Sequence, residues 1–285
     1  MFEARFENEY GLIRFGGGSG PVFRTKEFAG LGPPKKEFKV TGYAGQPGQE
    51  LISEKDLARV ITLSGDVIPR GSMQQELARM IKILYHPGRL TILSGNRKRS
   101  ILCRCTDFDD PERRGREISG TVIQFTCDDP YFTDDGRRRV DLFQRKNLIQ
   151  TTFTLPCAFS SRVNRLNVIN SGDVQTEPVF TIYNSGTASA LAESYGIEIE
   201  NHTTGQSLLI ERHTQSGEVI TIDIPARKIT SSIAGDITAS ISQDTYLSDF
   251  WLAEGANDIE AVNYNAGEDI SVVMEYDNKY IEAVY

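Results

Sequence analysis

The sequence predicts a mainly β protein in two parts: a β-rich first domain with one helix, then an all-β antiparallel sandwich. Three observations carry this. One stretch alone, Ser72 to Leu84, combines a helix-start pattern with apolar residues at helical spacing. Period-two alternation marks the strands, clearest in Glu117–Cys127, where Ile123, Phe125 and Cys127 alternate with Gln124 and Thr126. From Arg165 onward, short strands follow one another closely with turn residues between most of them.

Bulk properties agree. A chain of 285 residues is long enough for two domains with separate cores. It is 39% hydrophobic and 25% charged, the composition of a soluble globular protein. No apolar run approaches a membrane span and the N-terminus lacks a basic-then-apolar signal, so the expectation is no membrane anchoring and folding in a cytoplasm. Of four cysteines, Cys103 and Cys105 are too close in one strand to bridge easily, and Cys127 and Cys157 make no framework. Charge shifts midway. Residues 1–150 hold about 25 Lys+Arg against about 20 Asp+Glu, and residues 151–285 about 6 against about 19. A nucleic-acid surface is disfavoured in the first half because its basic clusters carry acids with them, as in Asp109-Asp110-Pro111-Glu112-Arg113-Arg114.

Taken in order, Phe2–Phe6 and Tyr10–Phe15 are short β pieces, broken by Gly16-Gly17-Gly18-Ser19-Gly20-Pro21. That run must turn sharply, and it lacks the Gly-Lys-Ser/Thr ending of a phosphate cradle. Glu37–Thr41 is a strand between two Gly/Pro-rich segments, the kind of piece that extends an edge or reaches towards a neighbour. Arg59–Asp66 is a strand. Ser72 with Gln75 fits a capping box, and Met73, Leu77, Met80, Ile81 and Leu84 form the stripe that packs on the sheet. His86-Pro87-Gly88 ends the helix. Strands Arg89–Leu93, Arg99–Phe108 and Glu117–Cys127 follow, joined by Ser94-Gly95-Asn96 and by a charged hairpin over 109–116. Pro130 then stops the sheet, because it has no N–H for a partner strand, and Tyr131 and Phe132 fold back to cap it. Asp134–Lys146 is polar and very basic and suits a connector. In the second half the expected strands are Arg165–Ile169, Pro178–Tyr183, Ile197–Glu200, Ser207–Ile210, Val219–Ile224, Ile237–Ile241, Asp258–Val262 and Ser271–Tyr276. Turns are expected at Asn170, Asn184 and Asn201.

A strand ending in Asp128-Asp129-Pro130-Tyr131-Phe132 resembles the hinge segment of the distal tail proteins of long-tailed bacteriophages. The flanking order supports this: strand, capped helix ending in His-Pro-Gly, strand, turn, strand, charged hairpin, strand. So do Asn170-Ser171-Gly172-Asp173 leading to Pro178, and the segments 199–205, 217–223 and 252–259, in the family's order. The resemblance is weakest over residues 1–50. It implies a split-barrel N-terminal domain, 1–146 with a connector over 133–146, and a galectin-like sandwich, 147–285. It also implies a structural hub of the viral tail and baseplate. There the first domain forms a homo-hexamer ring between the tail tube protein and the tail tip protein. The sandwich offers a docking surface for receptor-binding or side-fibre proteins, and genomic DNA passes through the ring without specific binding. The expected location is the virion tail tip, after assembly in the bacterial host cytoplasm.

No catalytic, cofactor or metal residue is expected. A metal site from Cys103, Cys105 and Cys127 lacks zinc-module spacing, so small buried cysteines are preferred. The acidic turns Asp128-Asp129 and Asp134-Asp135 lack EF-hand spacing. Histidines 86, 202 and 213 sit in no nucleophile or metal motif, so the chain is read as no enzyme. The alternative is a carbohydrate-binding module on the host surface. Trp251 and Glu254 faintly resemble the galectin sugar site, but Ala256 stands where that site has arginine, and a Phe250–Trp251 core pair is preferred.

Overall fold

The computed structural model describes residues 3–17, 22–45, 47–69, 71–109, 112–114, 117–142, 144–147, 160–186, 195–265 and 269–284. The Gly/Ser/Pro loop over 18–21, the end of the charged hairpin at 115–116 and Cys157 lie outside them. Two compact units divide the chain: Met1–Asp135 with Tyr280–Tyr285, and Gly136–Lys279.

Unit 1 contains β1 (Glu3–Asn8), β2 (Gly11–Gly16), β3 (Phe23–Ala29), β4 (Lys36–Thr41), β5 (Glu50–Asp56), β6 (Arg59–Val67), α1 (Met73–Leu84), β7 (Gly88–Ser94), β8 (Arg97–Asp109), β9 (Glu112–Arg114), β10 (Glu117–Cys127) and β11 (Phe132–Thr133). Strands β8-β7-β1-β2-β3-β6-β10 follow one another, and β10 pairs back onto β8, closing a seven-stranded barrel. Alternation fills it: Phe6, Phe15, Ile61, Leu63, Leu90, Ile92, Ile123 and Phe125 all point inward and are buried. Phe125 sits at its centre, with ring centroids 5.1 Å from Phe6 and 6.2 Å from Phe15. A bulge in β10 between Ile118 and Thr121 turns the Gly120 N–H onto Asp66 Oδ1, 3.2 Å away, and Lys26 Nζ meets the same oxygen at 2.8 Å. These two donors hold the Asp66 carboxyl below its ordinary pKa, the lysine contributing more.

The helix lies where the spacing puts it, but two details differ. Ser72 occupies the N-cap without a side-chain cap bond, so the capping box does not form. The buried stripe is Leu77, Met80, Ile83 and Leu84, while Ile81 is half-exposed on the opposite face. Strands β3 and β5 were not anticipated. In β5 an extra residue at the register shift breaks the alternation, and β3 carries its own shift between Thr25 and Glu27.

Unit 2 contains β12 (Arg138–Asp141), β13 (Gln144–Asn147), β14 (Ser160–Val163), β15 (Arg165–Asn170), β16 (Val179–Asn184), β17 (Ile197–Asn201), β18 (Gln206–Ile210), β19 (Val219–Asp223), β20 (Lys228–Ser231), β21 (Gly235–Asp236), β22 (Gly255–Asn263) and β23 (Ile270–Tyr276). A six-stranded sheet, β12-β23-β16-β19-β20-β21, and a four-stranded sheet, β15-β22-β17-β18, share one apolar core, and all their pairings are antiparallel. This is the expected sandwich. Asn170, Asn184 and Asn201 each turn the chain by accepting, through Oδ1, the N–H two residues on, at 3.0, 2.8 and 3.1 Å.

Differences are local. The expected strand Ile237–Ile241 is a 3-10 turn over Thr238–Ser240, because Asp236 Oδ1 takes both the Thr238 N–H (3.0 Å) and its hydroxyl (2.8 Å). Phe250 packs edge-on against Phe180 in the core, centroids 5.5 Å apart, while its neighbour Trp251 is half-buried, so the expected Phe250–Trp251 core pair does not form. Part of the basic stretch read as connector, Arg138–Asp141, forms β12 and pairs antiparallel with β23. Arg137 meets Asp277 at 3.4 Å, and Arg139 meets Glu275 at 3.9 Å.

Candidate interaction surfaces

Strands β4 and β5 form a two-stranded ribbon that pairs with no other described strand. Val40 stands opposite Leu51 and two residues from Phe38, so all three share one face; Ile52 is the extra residue at the shift. Phe38 is 56% exposed, Val40 46%, Leu51 53% and Ile52 65%. The other face carries Glu37, Lys39 and Lys55. An isolated hairpin is marginal in water, and exposed apolar side chains gathered on one face of it, beside the Lys36–Glu54 pair, mark a candidate interaction surface.

The ribbon is rigid at its root. Arg59, at the start of β6, is 4% exposed and spends its guanidinium on four backbone carbonyls. Nε donates to Pro130 O (2.6 Å), Nη1 to Gly30 O (2.8 Å) and to Gly32 O, and Nη2 to Ile281 O (2.7 Å). Its charge also lies 4.6 Å from the centre of the Phe132 ring. Burial pulls the Arg59 pKa below its ordinary value. One residue thus ties the segment entering β4, the Asp-Pro turn and the returning C-terminal residues together. Tyr131 completes the joint: its hydroxyl donates to Asp56 Oδ2 at the end of β5, while its N–H meets Asp129 Oδ1 at 3.1 Å. Burial first, and then Asp56, raises the Tyr131 pKa. The capping role of Tyr131 and Phe132 was legible in the sequence; that of Arg59 was not, since a lone arginine opening a strand carries no pattern.

A second exposed patch lies at the end of α1. The Tyr10 ring stacks on His86 (3.9 Å) and Tyr85 meets His86 edge-on (5.3 Å). Ile81 is one helical turn before Tyr85 on the same side. Tyr85 is 83% exposed. Asn8 Nδ2 donates to Ile83 O (2.8 Å) and His86 O (3.3 Å), tying the helix end to the β1–β2 turn and fixing the rings.

In unit 2 the solvent side of the four-stranded sheet is polar and mostly acidic. Glu200 and Glu260 stand directly opposite each other, and His202 bridges them through Nδ1 (3.1 Å) and Nε2 (2.8 Å). Arg165 holds Asp258, and the Tyr264 hydroxyl donates to Glu198 (2.7 Å), which pushes its pKa up to about 12.

The remaining candidates resolve as structure. Cys103 and Cys127 are buried free thiols of the barrel core, and burial pushes the Cys105 thiol up to about 11. Asp128 pairs with Arg104 at 2.8 Å, Asp134 with Arg99, and Asp135 with Lys98. His213 stacks on Tyr195 (5.2 Å). Among the described residues no group of three or more His, Cys, Asp or Glu is arranged to hold a metal ion.

Residues 171–280 match the family described as siphovirus-type tail component, C-terminal domain. No protein of curated function matches the sequence. Among solved structures, the Dit protein (gp 19.1) of phage SPP1, described as a paradigm of the hub adsorption apparatus in phages infecting Gram-positive bacteria, superposes with a TM-score of 0.65 at 14% identity. The match spans 98% of this chain and 99% of that one. A chain of the phage P2 baseplate, in its activated conformation with Ca, superposes with a TM-score of 0.51 at 10% identity, over 96% and 97% of the two chains.

Proposed function

We infer that this chain is a member of the siphovirus-type tail component family, the distal tail proteins of long-tailed bacteriophages, from the family match over residues 171–280 and the fold shared with the Dit protein of phage SPP1. It is therefore a structural part of a phage tail and baseplate, and not an enzyme.

Beyond that coarse role, we propose that six copies form a ring through unit 1, joining the tail tube to the tip protein, with DNA passing through without specific contact. The sandwich then offers an outer docking surface for receptor-binding or side-fibre proteins. One observation carries this reading: a well-packed barrel that holds a rigid ribbon out with its apolar face uncovered. A solitary monomer gains nothing from such a face, whereas a repeating contact buries it in every copy. The acidic sheet of unit 2 supports the outer role, since exposed charge keeps a projecting domain soluble and favours polar, exchangeable partners. Antibody–gold labelling of intact tails tests the placement. The label is expected at the end distal to the capsid; label along the whole tube, or none on finished tails, contradicts it.

A further inference from the structure

The pairing of β10 with β8 is the seam that closes the barrel, and two thiols meet on it. Phe125 stands opposite Cys105 and Thr126 opposite Arg104, so the same register sets Cys127 opposite Cys103. Arg104 is exposed, whereas Cys103 and Cys127 belong to the core, so both sulfurs point into the barrel. There the two thiols hydrogen-bond to each other. Residues directly opposite on antiparallel strands have Cα atoms about 4.5 or 5.5 Å apart, inside the roughly 4.4–6.8 Å that a disulfide spans. The two sulfurs differ in their surroundings. On its other side Cys127 stands opposite Arg59 of β6. The hydrogen bond from Cys103, and after it the Arg59 guanidinium, hold the Cys127 thiol below its ordinary pKa against burial, while the same bond and burial push Cys103 up. Cys127 is therefore the nucleophile of the pair, and Cys103 keeps its proton. Cys105 is held apart from them, its thiol donating to the Asp107 carbonyl at 3.3 Å.

We propose that Cys103 and Cys127 form a latent disulfide: free in this structure and in a reducing cytoplasm, they join when a peroxide reaches the released particle, and staple β8 to β10. The chemistry balances with the peroxide as two-electron oxidant. The Cys127 thiolate attacks one peroxide oxygen and breaks the O–O bond, leaving a sulfenic acid and a hydroxide that takes up the proton Cys127 gave away. The Cys103 sulfur then attacks the Cys127 sulfur. An S–S bond forms, the S–O bond breaks, and the departing hydroxide leaves as water with the Cys103 proton. The staple closes a loop of about 25 residues and pins the seam beside its register shift between Gln124 and Phe125.

The test uses the purified full chain, fully reduced and then exposed to hydrogen peroxide. Two of the four thiols are expected to disappear, with peptide mass spectrometry finding position 103 joined to position 127. The melting temperature should rise by roughly 5–10 °C and return to its starting value on reduction with dithiothreitol. Cys105→Ser should behave like the unaltered chain, whereas Cys127→Ser should show neither the bond nor the rise. Because Cys127→Ser alters a core position, the unaltered chain decides. Retention of all four thiols, oxidation running on to sulfinic or sulfonic acid, or a bond between other cysteines overturns the proposal. So does a 103–127 bond that leaves the melting temperature unchanged or lower.

Discussion

At the scale of single residues, the unit 1 fold depends most on Arg59. Its guanidinium donates to four backbone carbonyls, those of Pro130, Gly30, Gly32 and Ile281, so removing it takes a donor from each at once. Arg59→Met is expected to lower unfolding free energy by roughly 3 kcal/mol. Urea titration measures this, and a loss under about 0.5 kcal/mol, the range of ordinary surface changes, contradicts the role. Gly30 belongs to the same joint: its φ is +85°, and a side chain there would run into the Val60 carbonyl. Asp66 governs a second residue-scale outcome. Its folded pKa is lowered, so its contribution is present above the ordinary carboxylate value near 4 and is lost as pH falls through the lower folded value. Asp66→Asn should remove that part of the acid dependence, read as a shallower fall in melting temperature below about pH 4. Neither Arg59 nor Asp66 was legible beforehand. Both act through partners distant in sequence, Pro130 and Ile281 for one and Gly120 for the other, and periodicity reports only neighbours.

At the scale of elements, alternation made the buried strands readable, since burial on one face writes itself into the sequence every second residue. Glu117–Cys127 has the bounds that its pattern indicates. The ribbon's second strand was hidden because its apolar side chains stay exposed and the extra residue Ile52 breaks the alternation, so Glu50–Asp56 carries no buried-face pattern. The helix was legible in position and not in rotation: Ile81 and Ile83 differ by 200° of turn, and an apolar residue that ends up exposed looks like a core residue in sequence. This gives a contrast experiment. Ile83→Ala should cost about 2–4 kcal/mol by opening a cavity, and Ile81→Ala less than about 0.5 kcal/mol. Equal losses would mean that the helix presents a different face.

At the scale of the whole molecule, the two-part organisation was legible and its boundary was blurred by charge. Arg137–Arg139 read as a solvated connector because sequence cannot show that Glu275, on β23, and Asp277, just after it, stand ready to pair with them. The unit defined by contacts begins at Gly136 and includes Leu142, which is fully buried. A fragment of residues 136–279 is therefore expected to melt cooperatively. A fragment of residues 147–285 lacks β12 and Leu142 and should be less stable by roughly 3 kcal/mol or fail to fold. Equal stability of the two would move the boundary back to 146. The surfaces were the least legible part, since exposure of an apolar side chain is a property of the fold and leaves no pattern of its own.

The most direct test of the central claim is the number of copies seen in electron-microscopy class averages of the purified chain. The account predicts closed rings with six-fold symmetry and peripheral lobes. Single particles at every concentration, also in the presence of tube and tip proteins, would contradict it.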